Sequence, residues 1–149
     1  MRSVPLHGLL FLTVASLACA DSVPSIHAIG TDFALQAPDT IPAGVTRFQF
    51  ENQGHVPHEF AIGRLRQGVG LEQMLRAAQQ GVKLRDAPDH YLDSAPFGVL
   101  FAWPGGTSPA TLTVTLQRGD RLALICTFKD SVTGPEHAAL GMLRILTVR

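Results

Sequence analysis

Three residues near the end of the chain carry side chains that bind soft metals. Cys126, His137 and Met142 stand in the stretch CTFKDSVTGPEHAALGM, which joins one apolar run to the next. A thiolate and a thioether favour copper(I), and imidazole nitrogen serves both copper oxidation states. Two histidines and a cysteine in a trigonal plane, with a weak axial methionine, make up a blue-copper electron-transfer site. The stretch supplies three of these four donors in order: one at a strand end, one in a loop and one at the start of the next strand.

The fourth donor must come from elsewhere. His58, in NQGHVPHEFAIGRL (52–65), is the best candidate. It sits where a loop enters a strand, directly after Pro57, whose fixed φ stiffens the approach. His55 competes with it. Lying further from the strand, His55 would be held less rigidly, so it is expected at the rim of the site. His27 has no motif around it, and His90, in PDHYLD, is expected to be a solvated loop histidine. A zinc-protease reading of His58-Glu59 fails, because the second histidine of that pattern would fall at Ile62.

The cysteine count sharpens the question. The chain begins with Arg2, a ten-residue uncharged run at 9–18 (LLFLTVASLA) and the small-x-small triplet Ala18-Cys19-Ala20. That is the layout of a secretory signal peptide, and the run is too short to span a bilayer. Residues 1–20 are therefore expected to be removed on export, to the periplasm. Lipidation of Cys19 is a weaker alternative, because Ser16 stands where that signal prefers leucine. Cleavage leaves 21–149, enough for one domain, with Cys126 as its one cysteine. Structural cysteines in exported domains come in pairs, so Cys126 is either buried and inert or occupied by a ligand.

The charged residues balance at 12 basic and 12 acidic, and losing Arg2 leaves a net −1. There is no basic stripe for nucleic acid and no later apolar run long enough for a membrane helix. A monomer is expected.

The elements that must position the donors are mostly strands. Residues 46–51 (TRFQFE) alternate strictly, with Phe48 and Phe50 on one face. Further β runs are read at 60–65, 97–103, 111–116, 121–128 and 142–148, with one or two more in 26–36. About seven short strands with Gly/Pro punctuation suggest an antiparallel sandwich or small barrel. One helix interrupts them. Leu71, Met74, Leu75 and Ala78 follow i, i+3, i+4, i+7 spacing, and Gly81 ends the turn. Met74 belongs to that stripe and is read as packing, not as a ligand. Residues 82–95 read as a long polar loop.

The chain resembles the cupredoxins, the small type 1 blue copper proteins such as plastocyanin and azurin. The resemblance rests on 38–50 followed by Asn52-x-Gly54, on His58-Glu59-Phe60, and on 119–148 (GDRLALICTFKDSVTGPEHAALGMLRILTV). It implies an all-β fold, a Greek-key β-sandwich with one short helix inserted between strands, holding one Cu(I)/Cu(II) ion at one end. It makes His58, Cys126 and His137 the equatorial ligands and Met142 the axial one. It also implies that the second histidine lies near the surface as an electron exit.

Val56, Pro57, Ala138, Ala139 and Leu140 could then form an apolar docking patch for a redox partner, although the alanines could equally be loop packing. The implied function is single-electron transfer outside the cytoplasm. A copper carrier, buffer or delivery protein using the same ligands is the alternative. A copper enzyme is not expected. Several features depart from the family pattern. Ten residues separate Cys126 from His137, Glu59 stands where relatives have a small polar residue bridging the ligand loops, and Arg121 and Ala123 replace a frequent aromatic.

Overall fold

The computed structural model describes residues 22–86 and 88–149. The expected signal peptide and Cys19 lie outside them. No helix among the described residues is long and apolar enough to cross a membrane.

Strict alternation makes half-buried strands, because successive side chains point to opposite faces. The 46–51 pattern lies inside β4 (Gly44–Asn52), which buries Thr46, Phe48, Phe50 and Asn52 and exposes Arg47 and Gln49. Before it come β1 (Ser25–Thr31), β2 (Ala34–Gln36) and the two-residue β3 (Thr40–Ile41). After it come β5 (His58–Arg64), helix α1 (Leu71–Gln79), the single turn α2 (Pro88–Tyr91), β6 (Gly98–Ala102), β7 (Leu112–Leu116) and β8 (Arg121–Ile125). A second single turn, α3 (His137–Leu140), leads into β9 (Leu143–Val148).

The strands form two sheets, ordered β2-β1-β4-β7 and β3-β9-β8-β5-β6. The expected antiparallel arrangement needs one correction. β1 pairs with β4, and β3 with β9, in parallel, while the other ladders are antiparallel. Both parallel partners reach their neighbours through long excursions, so no hairpin constrains their direction.

Between the sheets lies a core built on Phe48, Phe50, Phe60, Leu122, Leu124 and Leu146. Phe50 and Phe60 stack across it, with ring centroids 5.4 Å apart. The second sheet is covered on its outer face too. There a second cluster joins Met74 and Ala78 of α1 to Leu84, Tyr91 and Leu92, and to Ala123, Ile125, Ala138 and Leu143.

This corrects the polar-loop reading of 82–95. The segment buries three large side chains and contains α2, while His90 itself is exposed. The insert between β5 and β6 therefore holds two short helices, α1 and α2, not one, and a third, α3, lies in the ligand loop. Met74 is fully buried, as its place in the stripe requires, but Leu71 at the helix start is 39% exposed.

Period two carries through the second sheet to the site. In β8 and just beyond it, Leu122, Leu124 and Cys126 face the inter-sheet core, and Ala123 and Ile125 face the helices. Met142 falls in the inner set with Leu146 and Val148.

Candidate metal centre

The start of β5 and the end of β8 are brought side by side by the ladder that pairs Ala61 with Ile125. His58 therefore arrives beside Cys126, though they lie 68 positions apart in the chain. The loop after Cys126 is tied at its base. His137 N–H donates to the Phe128 carbonyl at 2.9 Å, and Ala138 N–H to the Cys126 carbonyl at 2.8 Å. Cys126 and Met142 are linked by the Cys126 N–H to the Met142 carbonyl at 3.0 Å, and Met142 N–H donates to the His137 carbonyl at 3.0 Å. The insert 129–136 thus leaves and returns through a closed neck. Gly141, at φ 125°, turns the chain from α3 into β9, and a side chain there would meet the Phe33 carbonyl at 2.7 Å.

His58, Cys126 and His137 are all fully buried, and their ligand atoms converge. The two Nδ1 atoms lie 3.1 Å apart, and Cys126 Sγ is 3.9 Å from His58 Nδ1 and 3.6 Å from His137 Nδ1. The circumcentre of that triangle is about 2.1 Å from each atom, within the range of metal–nitrogen and metal–sulfur bonds. Two imidazole nitrogens this close in a dry site need a proton or a cation between them. The donors fit one metal ion, and two imidazoles with a thiolate suit copper.

The surroundings set the state of each donor. Burial pushes the Cys126 thiol up to about 11, only partly offset by the N–H groups of Glu59 and Phe128. The metal-free site therefore holds a thiol, and a cation must displace its proton to bind. The Glu59 N–H points at the sulfur from 3.4 Å. Burial, and then the neighbouring His137, hold His58 below the usual imidazole range, so it is neutral and free to donate a lone pair.

His137 Nε2 is 3.0 Å from Asp130 Oδ1. A carboxylate only accepts, so Nε2 carries the proton and the Nδ1 lone pair faces the triangle. His55 is exposed. It bonds Asp32 through its ring at 2.6 Å and through its N–H at 2.7 Å, which holds the Asp32 carboxyl below the usual range. The same Asp32 Oδ1 that accepts from the His55 N–H lies 3.8 Å from the buried Nε2 of His58, which has no hydrogen-bond partner among the described residues.

Glu59 replaces the small bridging residue and bridges by other means. Its buried carboxylate accepts from the Thr127 N–H at 2.9 Å and the Thr127 hydroxyl at 2.5 Å, and both its oxygens accept from Arg85 at 3.0 Å. It clamps the first ligand strand to the residue after Cys126.

Sequence reasoning missed Asp130, Asp32 and Arg85. They come from loops without periodicity and meet the site only in three dimensions. Met142 is fully buried and shares the core with Cys126, its methyl group near Gly30.

The expected docking residues divide. Ala138 is fully buried in the second cluster and Ala139 packs against it, so Ala138 has no surface to offer. Val56 and Pro57 are half-buried, and Leu140 is 45% exposed. Nor is His137 an exposed edge. Asp130 covers its Nε2, and Phe33 and Phe128 pack edge-on at 5.3 and 5.8 Å.

No family model matches the chain, and no curated protein sequence matches it. Solved structures do. Dithionite-reduced auracyanin from the photosynthetic bacterium Roseiflexus castenholzii superposes at a TM-score of 0.55 with 21% identity, covering 86% of this chain and 98% of that one. This chain has the cupredoxin fold. Auracyanin A of Chloroflexus aurantiacus (TM-score 0.53, 17% identity, 86% and 100% covered) shares that cupredoxin architecture. So does an azurin from Methylomonas sp. strain J (0.51, 10%, 86% and 99%). At these identities the likeness is one of fold, and the chemistry must be argued from the His58–Cys126–His137 triangle.

Proposed function

We propose that this chain binds one copper ion through His58, Cys126 and His137, with Met142 as a fourth ligand, and carries single electrons between redox proteins outside the cytoplasm. The observation that carries the reading is the buried triangle, sized for one ion and set in the cupredoxin fold. Auracyanin A, which has the same fold, is described as a "blue" copper protein.

Copper bound there would supply a one-electron couple with strong sulfur-to-metal charge transfer. The chain's own residues do the rest. The closed neck and the Glu59 clamp hold the donors at fixed separations, so little need rearrange when an electron arrives or leaves. The Glu59 N–H lies against the sulfur, and hydrogen bonds of this kind tune the potential. Asp130 fixes the tautomer of His137, and complete burial keeps water out.

Among the described residues one cluster of three His, Cys, Asp or Glu donors could hold a metal, and the proposed carrier needs one ion. Export to the periplasm after loss of residues 1–20 belongs to the same reading.

Titration of the metal-free protein with copper(II) should give an intense visible band at one equivalent, and Cys126→Ser should abolish it. A colourless complex, or a band that survives in the variant, overturns the reading. Fast electron exchange with slow loss of copper to a chelator separates electron transfer from copper delivery. The reverse pattern would favour delivery.

A further inference from the structure

Asp130 and the packed rings close His137 off from solvent, so the copper reading leaves open where electrons cross the surface. A chain of aromatic contacts starts at the ligand itself. The His137 ring is 5.8 Å from Phe128, Phe128 is 6.0 Å from Phe101, and Phe101 meets Trp103 edge-on at 5.2 Å. Phe128 also stands two residues from Cys126, so the ligand sulfur reaches it through bonds.

The chain surfaces at Trp103, which is 69% exposed although it is the one tryptophan. Large exposed apolar groups in a cluster mark interaction sites. Here Val99, Phe101, Trp103, Thr107, Ser108 and Pro109 line one groove. They belong to the edge strand β6 and the turn after it, and Ala102 of β6 pairs directly with His58. No Asp, Glu, Lys, Arg or His occurs anywhere in 94–117.

We propose that the surface around Trp103 is the electron port, and that it docks a redox protein whose own port is uncharged and apolar. The inference rests on the copper reading. The groove's own lining carries no charge, although the Glu59–Arg85 ion pair beside Val99 and Glu51 opposite Thr107 stand at its margins, and that uncharged lining selects the partner. A charged patch would gain nothing from this face and would lose hydration on meeting it, whereas an apolar one is matched. One electron leaves the reduced centre and enters the oxidised partner, and no bond forms or breaks. The rings supply close-packed contacts along the route without being oxidised themselves.

A second copy of this chain carries such a port, so electron self-exchange between copper(I) and copper(II) forms is the probe, read by NMR line broadening. Wild-type exchange should vary little with salt. Trp103→Lys should slow it tenfold or more at low salt, with partial recovery at high salt. Trp103→Leu should slow it several-fold at all salt concentrations. Val132→Lys, on the insert beside Asp130 and 94% exposed, should leave it unchanged.

If Trp103→Lys has no effect, or if Val132→Lys slows exchange equally, the port lies elsewhere. The visible band is read first in every variant. Its absence from the wild type overturns the copper reading and this inference with it. Its presence with insensitive exchange overturns the port alone.

Discussion

Adding one carbon at Gly54 would place it 2.9 Å from Nε2 of His58 and hard against the Asp32 carboxylate. Gly54 N–H also donates to the Asn52 side chain, which holds the Val56 and Ala102 carbonyls, so the position cannot move away freely. Gly54→Ala should therefore tilt the His58 ring and weaken copper binding by roughly 10- to 100-fold, the usual cost of disturbing a ligand's support. Competition with a chelator would measure it. Cys126 makes a second prediction. Its thiol is raised from 9.0 to about 11 in the folded chain. Below pH 9 both states keep the proton and stability is unaffected by this group. Between 9 and 11 the unfolded chain ionises first, so metal-free stability should fall, by about 2–3 kcal/mol in total. Denaturant unfolding at pH 8 and pH 11, with Cys126→Ala as the reference, isolates the effect.

Helix α1 puts the two methionines on different footings. Met74→Ala should cost about 2–5 kcal/mol by opening a cavity in the second cluster. The copper band should be unaffected, since Met74 packs on the sheet face opposite to the one that carries Cys126. Thermal unfolding together with the visible spectrum checks both halves. The amphipathic stripe showed this helix in the sequence, and alternation showed β4 and the inward course of β8. The second cluster was hidden because Leu84, Tyr91 and Leu92 are scattered among polar residues with neither period. The two-residue β3 is too short to leave a pattern. His58, Cys126 and His137 could be read because a loop and a strand entry set their types in order. Asp130 on His137, and the ring chain to Trp103, could not be read, because they join residues from separate strands and loops whose proximity no spacing encodes.

The molecule gathers its donors from both halves of the chain, so the unfolded state cannot present them together. Binding to the native state alone stabilises it by mass action, about 4 kcal/mol when free metal exceeds its dissociation constant a thousandfold. Copper-loaded protein should melt on the order of 10 °C higher than metal-free protein in calorimetry, and Cys126→Ser should lose most of the gain. The closed neck beneath residues 129–136 has a consequence of another kind. Cys126 is the one thiol among the described residues and has no exposed surface. A thiol reagent can reach it only when the neck lets go, so its labelling rate in metal-free protein is a clock for how often this end of the sandwich opens, and needs no introduced probe.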